Sequence, residues 1–298
     1  MCGIVGLFLK DKLLEPKLGV LLAKMLITMT DRGPDSAGIA IYGSKNALYS
    51  KLTIQSDNAD HDFFKLSTDL SSEFGLDVTL QRNNTHAVLS VTHDKVDLVR
   101  DAITKLRTGI RLMSSGEKIE IYKEVGLPQD VSQRFGLSLK TGSHGIGHTR
   151  MATESAVTTN GAHPFSTGPD QCLVHNGSLS NHNSMRRKLR REGIRIDSDN
   201  DTEVGAAYLT WKMKGGATLE EALKASLDDL DGFFTFVVGT KEGFGVVRDP
   251  IACKPAVLAE TDQYVAFGSE YRALVDLPGI ETAHVWEPEP SIVYFWSH

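Results

Sequence analysis

The first residues constrain this chain most. Met1-Cys2-Gly3-Ile4-Val5-Gly6 sets a thiol one position from the end, directly ahead of an apolar run that continues through Leu7 and Phe8. Removal of the initiator Met would leave Cys2 with a free α-amine beside its thiol. A thiolate is a nucleophile. An α-amine, with an ordinary pKa of about 7.7–8.0, is a workable base near neutral pH. One N-terminal residue can therefore be its own nucleophile–base pair. Ile4, Val5, Leu7 and Phe8 read as a buried strand that holds this end rigidly in the fold. The competing reading is that Cys2 is an ordinary buried residue, as cysteines often are.

The remaining composition narrows the function classes. The 298 residues suffice for one large or two ordinary domains, and 41% apolar with 23% charged residues indicates a globular chain. A net charge of −6 disfavours a nucleic-acid binder. The longest apolar stretch, Leu18–Met29, is interrupted by Lys24 and is too short to cross a bilayer, so no membrane partner is expected. No basic region precedes an apolar segment near the N-terminus, so no signal peptide is expected. Cys2, Cys172 and Cys253 lack metal-type spacing, which predicts no metal site and reduced thiols in the cytoplasm.

Along the chain, residues 2–9 are the first strand. Leu18, Leu21, Leu22, Met25, Leu26 and Met29 fall at helical spacing behind Pro16. A turn at 31–38 leads to a strand at Ile39–Tyr42, with Ala47–Lys51 as its expected hairpin partner. Residues 56–135 have a different texture: a helix over Ala59–Phe74, a strand at Ala87–Thr92 and a helix over Lys95–Arg107. Strands at Ile110–Met113 and Lys118–Val125 are expected to pair across Ser114-Ser115-Gly116. This predicts a small inserted α/β subdomain with its own sheet. His86 and His93 within it read as packing or surface residues. Further helices are expected over Asn181–Glu192, from the stretch Asp199-Asn200-Asp201-Thr202-Glu203 to about Lys214, and over Leu219–Leu230, the last behind a capping box of Thr218 and Glu221. From Gly232 onward the pattern is strand-like. The basic run from Arg186 to Arg191 reads as a solvated helix face.

If Cys2 attacks a carboxamide, the tetrahedral oxyanion needs donors already in place. Asn176-Gly177 can offer a side-chain amide and a backbone N–H at a position without a Cβ, although the same dipeptide is common at turns. An amino-acid substrate would also need partners for its carboxylate and ammonium. The guanidinium fork of Arg150 suits the first, with Thr153 nearby, and Asp201 suits the second. A structural ion pair, or an N-cap role for Asp201, remains open on these residues alone.

The chain order is more specific than any single block. Cys2-Gly3-Ile4-Val5-Gly6, Arg32-Gly33-Pro34-Asp35-Ser36-Ala37-Gly38, Gly147-His148-Thr149-Arg150-Met151-Ala152-Thr153, His163-Pro164-Phe165, His175-Asn176-Gly177 and Asp199-Asn200-Asp201-Thr202-Glu203 together resemble the class II glutamine amidotransferases. That resemblance implies an α+β fold, the four-layer αββα sandwich of the N-terminal-nucleophile hydrolases, over residues 2–298 with the small α/β insertion at 56–135. It implies that Cys2 is nucleophile and base, that Asn176 and Gly177 form the oxyanion hole, and that Arg150, Thr153 and Asp201 hold glutamine. Arg32 and His163 would support or border the same pocket. Met151 and Glu154 depart from the family pattern.

The layout is similar to the stand-alone amidotransferase subunit of split glutamate synthase and N-methylglutamate synthase systems, on the stretches 175–183 and 248–255. This implies glutamate-synthase-like partner subunits. The ammonia acceptor, FMN and an iron–sulfur cluster would reside there, with no cofactor in this chain.

Overall fold

The computed structural model describes residues 2–45, 48–152 and 156–298. The chain opens with β1 (Gly3–Leu9), α1 (Leu18–Thr28) and β2 (Ser36–Tyr42). There follow β3 (Tyr49–Gln55), α2 (Ala59–Asp62), α3 (Leu66–Phe74), β4 (Thr79–Asn83), β5 (His86–Thr92), α4 (Val96–Leu106) and β6 (Arg111–Gly116). Next come β7 (Ile119–Val125), α5 (Pro128–Arg134), β8 (His144–Arg150), β9 (Cys172–Leu179), α6 (His182–Arg191), α7 (Asp201–Lys214) and α8 (Leu219–Asp229). The last strands are β10 (Gly232–Gly239), β11 (Gly243–Arg248), β12 (Val257–Glu260), β13 (Tyr264–Gly268), β14 (His284–Trp286) and β15 (Val293–Ser297).

Two antiparallel sheets lie face to face. The seven-stranded sheet runs β14-β12-β13-β1-β8-β2-β7, and the four-stranded sheet runs β15-β11-β10-β9. Strand alternation assigns the layers. Ile4 and Phe8 of β1 join Val174, Val237 and Phe244 between the sheets. Val5, Leu7 and Leu9 pack on Leu18, Leu22 and Leu26 of α1. On the far side, Leu173, Phe236 and Val238 pack beneath Leu189, Tyr208 and Leu223 of α6, α7 and α8. The order helix–sheet–sheet–helix is the expected αββα sandwich. Strand β1 is apolar on both faces, so it reads as a continuous run rather than an alternation.

A third sheet, β4-β5-β3-β6, stands apart. Its core joins Leu52 and Leu89 to Leu66, Leu70, Val99 and Ile103 of α3 and α4. The small unit therefore spans Tyr49–Gly116, and the structure returns part of the expected 56–135 insertion to the main body. Strand β3 does not pair with β2, because β7 and β8 occupy both edges of β2; it pairs with β5 and β6 instead. Strands β6 and β7 are not a hairpin: β7 is the edge of the seven-stranded sheet, and α5 packs on it. Asp170 enforces the break. Its carboxylate accepts from the backbone N–H of Glu117, Lys118 and Ile119 at 2.7, 2.8 and 3.1 Å. The helix expected over Ala59–Phe74 is likewise split, at Lys65 with φ +53°.

Candidate active site

Strand register places Cys2. Pairing of Gly3 with Thr149 and of Ile4 with His148 carries on to set Cys2 level with Arg150. A Cβ at residue 3 would fall 2.7 Å from Thr149 Oγ1 and 2.8 Å from Met29 Cβ, so only glycine lets the chain end lie here. The carbonyl oxygen of Cys2 accepts from Arg32 Nε at 2.9 Å and from Asn176 Nδ2 at 3.2 Å. Its Sγ lies 3.9 Å from the Met151 carbonyl oxygen.

A cavity of about 770 Å³ opens at this point, lined by Cys2, Arg150, His163, Asn176, Gly177 and Asp201 among others. A larger cleft of about 1120 Å³ against the small unit contains none of these residues. Asn176-Gly177 is not a turn. Both residues lie inside β9, opposite Thr235 and Phe234. Gly177 has φ +147°, and a Cβ there would sit 1.9 Å from the Phe233 carbonyl oxygen. Asp201 is not the N-cap of α7, because Asn200 Oδ1 accepts the Thr202 N–H at 2.8 Å. Its own carboxylate accepts the Leu179 N–H at 2.9 Å and remains a quarter exposed in the cavity wall. Arg150 is buried and donates to the Ala156 carbonyl at 3.3 Å.

Arg32 supports the pocket from behind rather than bordering it. It is absent from the cavity lining and stands behind Cys2, with Nη1 2.5 Å from Glu270 Oε1. Thr153 and Glu154, like Met1, lie outside the described residues.

Sequence reasoning missed several supporting residues. Glu270 anchors Arg32 and also meets Arg272 Nε at 2.6 Å. Asp35 accepts the Ala152 N–H at 2.8 Å and so holds the strand end after Arg150. Thr202 receives two imidazoles, from His163 Nε2 at 2.6 Å and His175 Nδ1 at 3.1 Å. The rings of His148 and His163 are 4.0 Å apart. Burial pushes His148 down to about 3 and lowers His163 and His175 as well, so this cluster is neutral near pH 7. The sequence signal was present, since all four residues fall inside the quoted motifs, but nothing in their spacing reveals that they meet. Lys254, from the loop after β11, also reaches the cavity wall.

Among the described residues, no group of three or more His, Cys, Asp or Glu side chains could hold a metal ion, and no helix is long and apolar enough to cross a membrane. Cys172 is buried beneath the Tyr42 hydroxyl, and burial raises its thiol to about 11, whereas Cys253 is exposed.

Comparison with known proteins agrees with this geometry. A family model described as a glutamine amidotransferase domain matches residues 148–276. The glutamine amidotransferase-like protein GlxB of Rhizobium meliloti is 65% identical over 298 residues, covering 100% of this chain and 99% of that protein. A putative glutamine amidotransferase of Methanothermobacter thermautotrophicus is 33% identical, covering 98% of both chains. In fold, the glutamine phosphoribosylpyrophosphate amidotransferase of B. subtilis superposes with a TM-score of 0.63 at 20% identity, over 99% of this chain and 47% of that one. With two relatives matched end to end, the chain belongs to the glutamine amidotransferases, and it shares its fold with that solved enzyme.

Proposed function

We propose that the chain is the glutaminase subunit of a complex of the glutamate-synthase or N-methylglutamate-synthase kind, working in the cytoplasm. Cys2, once Met1 is removed, attacks the side-chain carbonyl of glutamine. The Asn176 amide has two N–H groups; one is spent on the Cys2 carbonyl, which leaves the second and the Gly177 N–H for the oxyanion. Collapse breaks the C–N bond. Ammonia leaves with a proton from the Cys2 α-ammonium, and a γ-glutamyl thioester remains. Water then attacks the thioester, releasing glutamate and restoring the thiol. Arg150 pairs with the substrate carboxylate and Asp201 with its ammonium. His163 holds the wall through Thr202, and Arg32 holds the Cys2 backbone.

One observation carries this reading: Cys2, Arg150, Asn176, Gly177 and Asp201, far apart in sequence, line one cavity, with a guanidinium and a carboxylate in the wall around the thiol. The partner assignment rests on the subunit-like resemblance and on relatives matched over nearly their whole length. The acceptor, FMN and the iron–sulfur cluster would then belong to glutamate-synthase-like partner subunits. The dispersed thiols of this chain suit that division.

The test joins N-terminal mass analysis to glutamine hydrolysis by the purified chain, alone and with co-purifying polypeptides. The expected result is a chain that lacks Met1, hydrolyses glutamine slowly, speeds up with its partners, and loses activity in Cys2→Ala with an unchanged thermal midpoint. A retained Met1, or equal hydrolysis in Cys2→Ala, overturns the mechanism. Full activity in the isolated chain overturns the partner assignment.

A further inference from the structure

A second cavity, of about 360 Å³, lies between the small sheet unit and the main body, and shares Asn160 and Asp197 with the glutamine cavity wall. Its lining holds four cationic side chains, Arg100, Arg111, Lys123 and Arg195, against two carboxylates, Asp197 and Glu203. Both signs are already engaged: Arg100 pairs with Asp97 at 3.0 Å and Arg111 with Asp57 at 2.7 Å. Asp197 meets Arg195 at 2.8 Å, and Glu203 accepts the N–H groups of Asp197 and Ser198 at 2.8 and 2.6 Å.

Lys123 is the unusual member. It is 3% exposed, and its Nζ donates to the carbonyl oxygens of Ala162 and Pro164 at 2.7 and 3.2 Å. An ammonium has three donors; the Glu203 carboxylate of the same lining acts on this one electrostatically without a direct hydrogen bond to it. Burial pushes its ammonium down to about 7. A buried cation of this kind is stabilised by a counter-charge. A second buried group is also unmatched: Ser114 Oγ, 2% exposed and lining the same cavity, has no hydrogen-bond partner among the described residues.

We propose that this cavity is a binding site for a small oxyanion, a carboxylate or phosphate group, with Lys123 and Ser114 as its inner donors and Arg100, Arg111 and Arg195 at its rim. The anion adds a direct partner for Lys123 to the more distant charge of Glu203 and accepts from the Ser114 hydroxyl. The volume admits a small metabolite rather than a polymer.

The test is calorimetric titration of the full chain, without glutamine, using inorganic phosphate and, separately, succinate at constant ionic strength. This readout is independent of glutamine hydrolysis. Saturable one-site binding of either probe is expected, and the probe that binds tells phosphate from carboxylate. Lys123→Met should abolish it. Because that change alters a buried position, Ser114→Ala and Arg195→Gln are measured alongside, and each should weaken binding about tenfold, as for loss of one hydrogen bond to a charged group. Absence of saturable heat with both probes overturns the proposal, as does binding that both of these variants leave unchanged.

Discussion

Cys2 is positioned through its carbonyl oxygen, not its thiol. Arg32 and Asn176 both donate to that oxygen, and Arg32 is in turn held by Glu270, 238 residues further along the chain. Glu270 is thereby a positioning residue. The two arginines beside it, Arg32 before Arg272, hold its carboxyl below the usual range, so it is charged at neutral pH. Glu270→Gln keeps the size and removes the charge. We expect kcat for glutamine hydrolysis to fall by up to about tenfold, about 1.4 kcal/mol of barrier, with KM unchanged because Glu270 does not line the cavity. Steady-state kinetics separate the two; a raised KM with unaltered kcat would contradict this placement. At this scale the meeting of Cys2, Arg150, Asn176, Gly177 and Asp201 in one cavity was legible in sequence, because their motifs stand in a recognisable order. Glu270 was not. A carboxylate that steadies an arginine from a distant turn leaves no local pattern, and its neighbours resemble any short helical turn.

Elements were legible where their signal is local. The α1 stripe and the capping box of Thr218 and Glu221 both appear as expected, the box with Glu221 Oε2 2.8 Å from the Thr218 N–H. Strand partners were not legible, since a two-residue period specifies faces and says nothing about which edge is filled. The separation of β6 from β7 is the clearest case. Gly116 and the following N–H groups wrap around the carboxylate of Asp170, itself at φ +51°. A Cβ on Gly116 would fall 2.3 Å from that carboxyl group, so glycine is required for the wrap. Removing the carboxylate leaves three N–H groups without their acceptor. Asp170→Ala should therefore lower the unfolding free energy by about 3 kcal/mol or more, given about 1–3 kcal/mol for each buried polar group left unmatched. Urea unfolding of the full chain measures it, and a loss below about 1 kcal/mol would mean that water replaces the carboxylate without penalty.

Across the whole molecule, buried neutral histidines stitch the layers together. His144 stacks on Tyr42 at 4.1 Å and bonds the Thr240 carbonyl at 2.8 Å, linking the two sheets. His148, His163 and His175 cluster at the wall of the cavity that Cys2 lines. His86, expected from sequence as packing or surface, is fully buried and meets Phe135 edge-on at 4.8 Å, joining the small unit to α5. Burial pushes His86, His144 and His148 each down to about 3. The unfolded chain titrates these groups near an ordinary value of about 6.5. Between those limits the unfolded state binds more protons, so stability falls as pH falls from about 6.5 towards 3, with a limiting slope of about 1.4 kcal/mol per pH unit for each histidine. Three such groups would remove about 6 kcal/mol between pH 7 and pH 5, comparable with the whole stability of an ordinary domain. Acid should therefore unfold this protein well above the carboxylate range. His86→Phe isolates one contribution: it keeps an aromatic ring against Phe135 and Tyr122 but cannot bind a proton. Urea unfolding at pH 7 and pH 5 should show the variant losing about 2 kcal/mol less than the parent chain between those two conditions. An identical loss in both proteins would mean that His86 is protonated in the folded state, and that the junction it occupies between the small unit and the main body admits water.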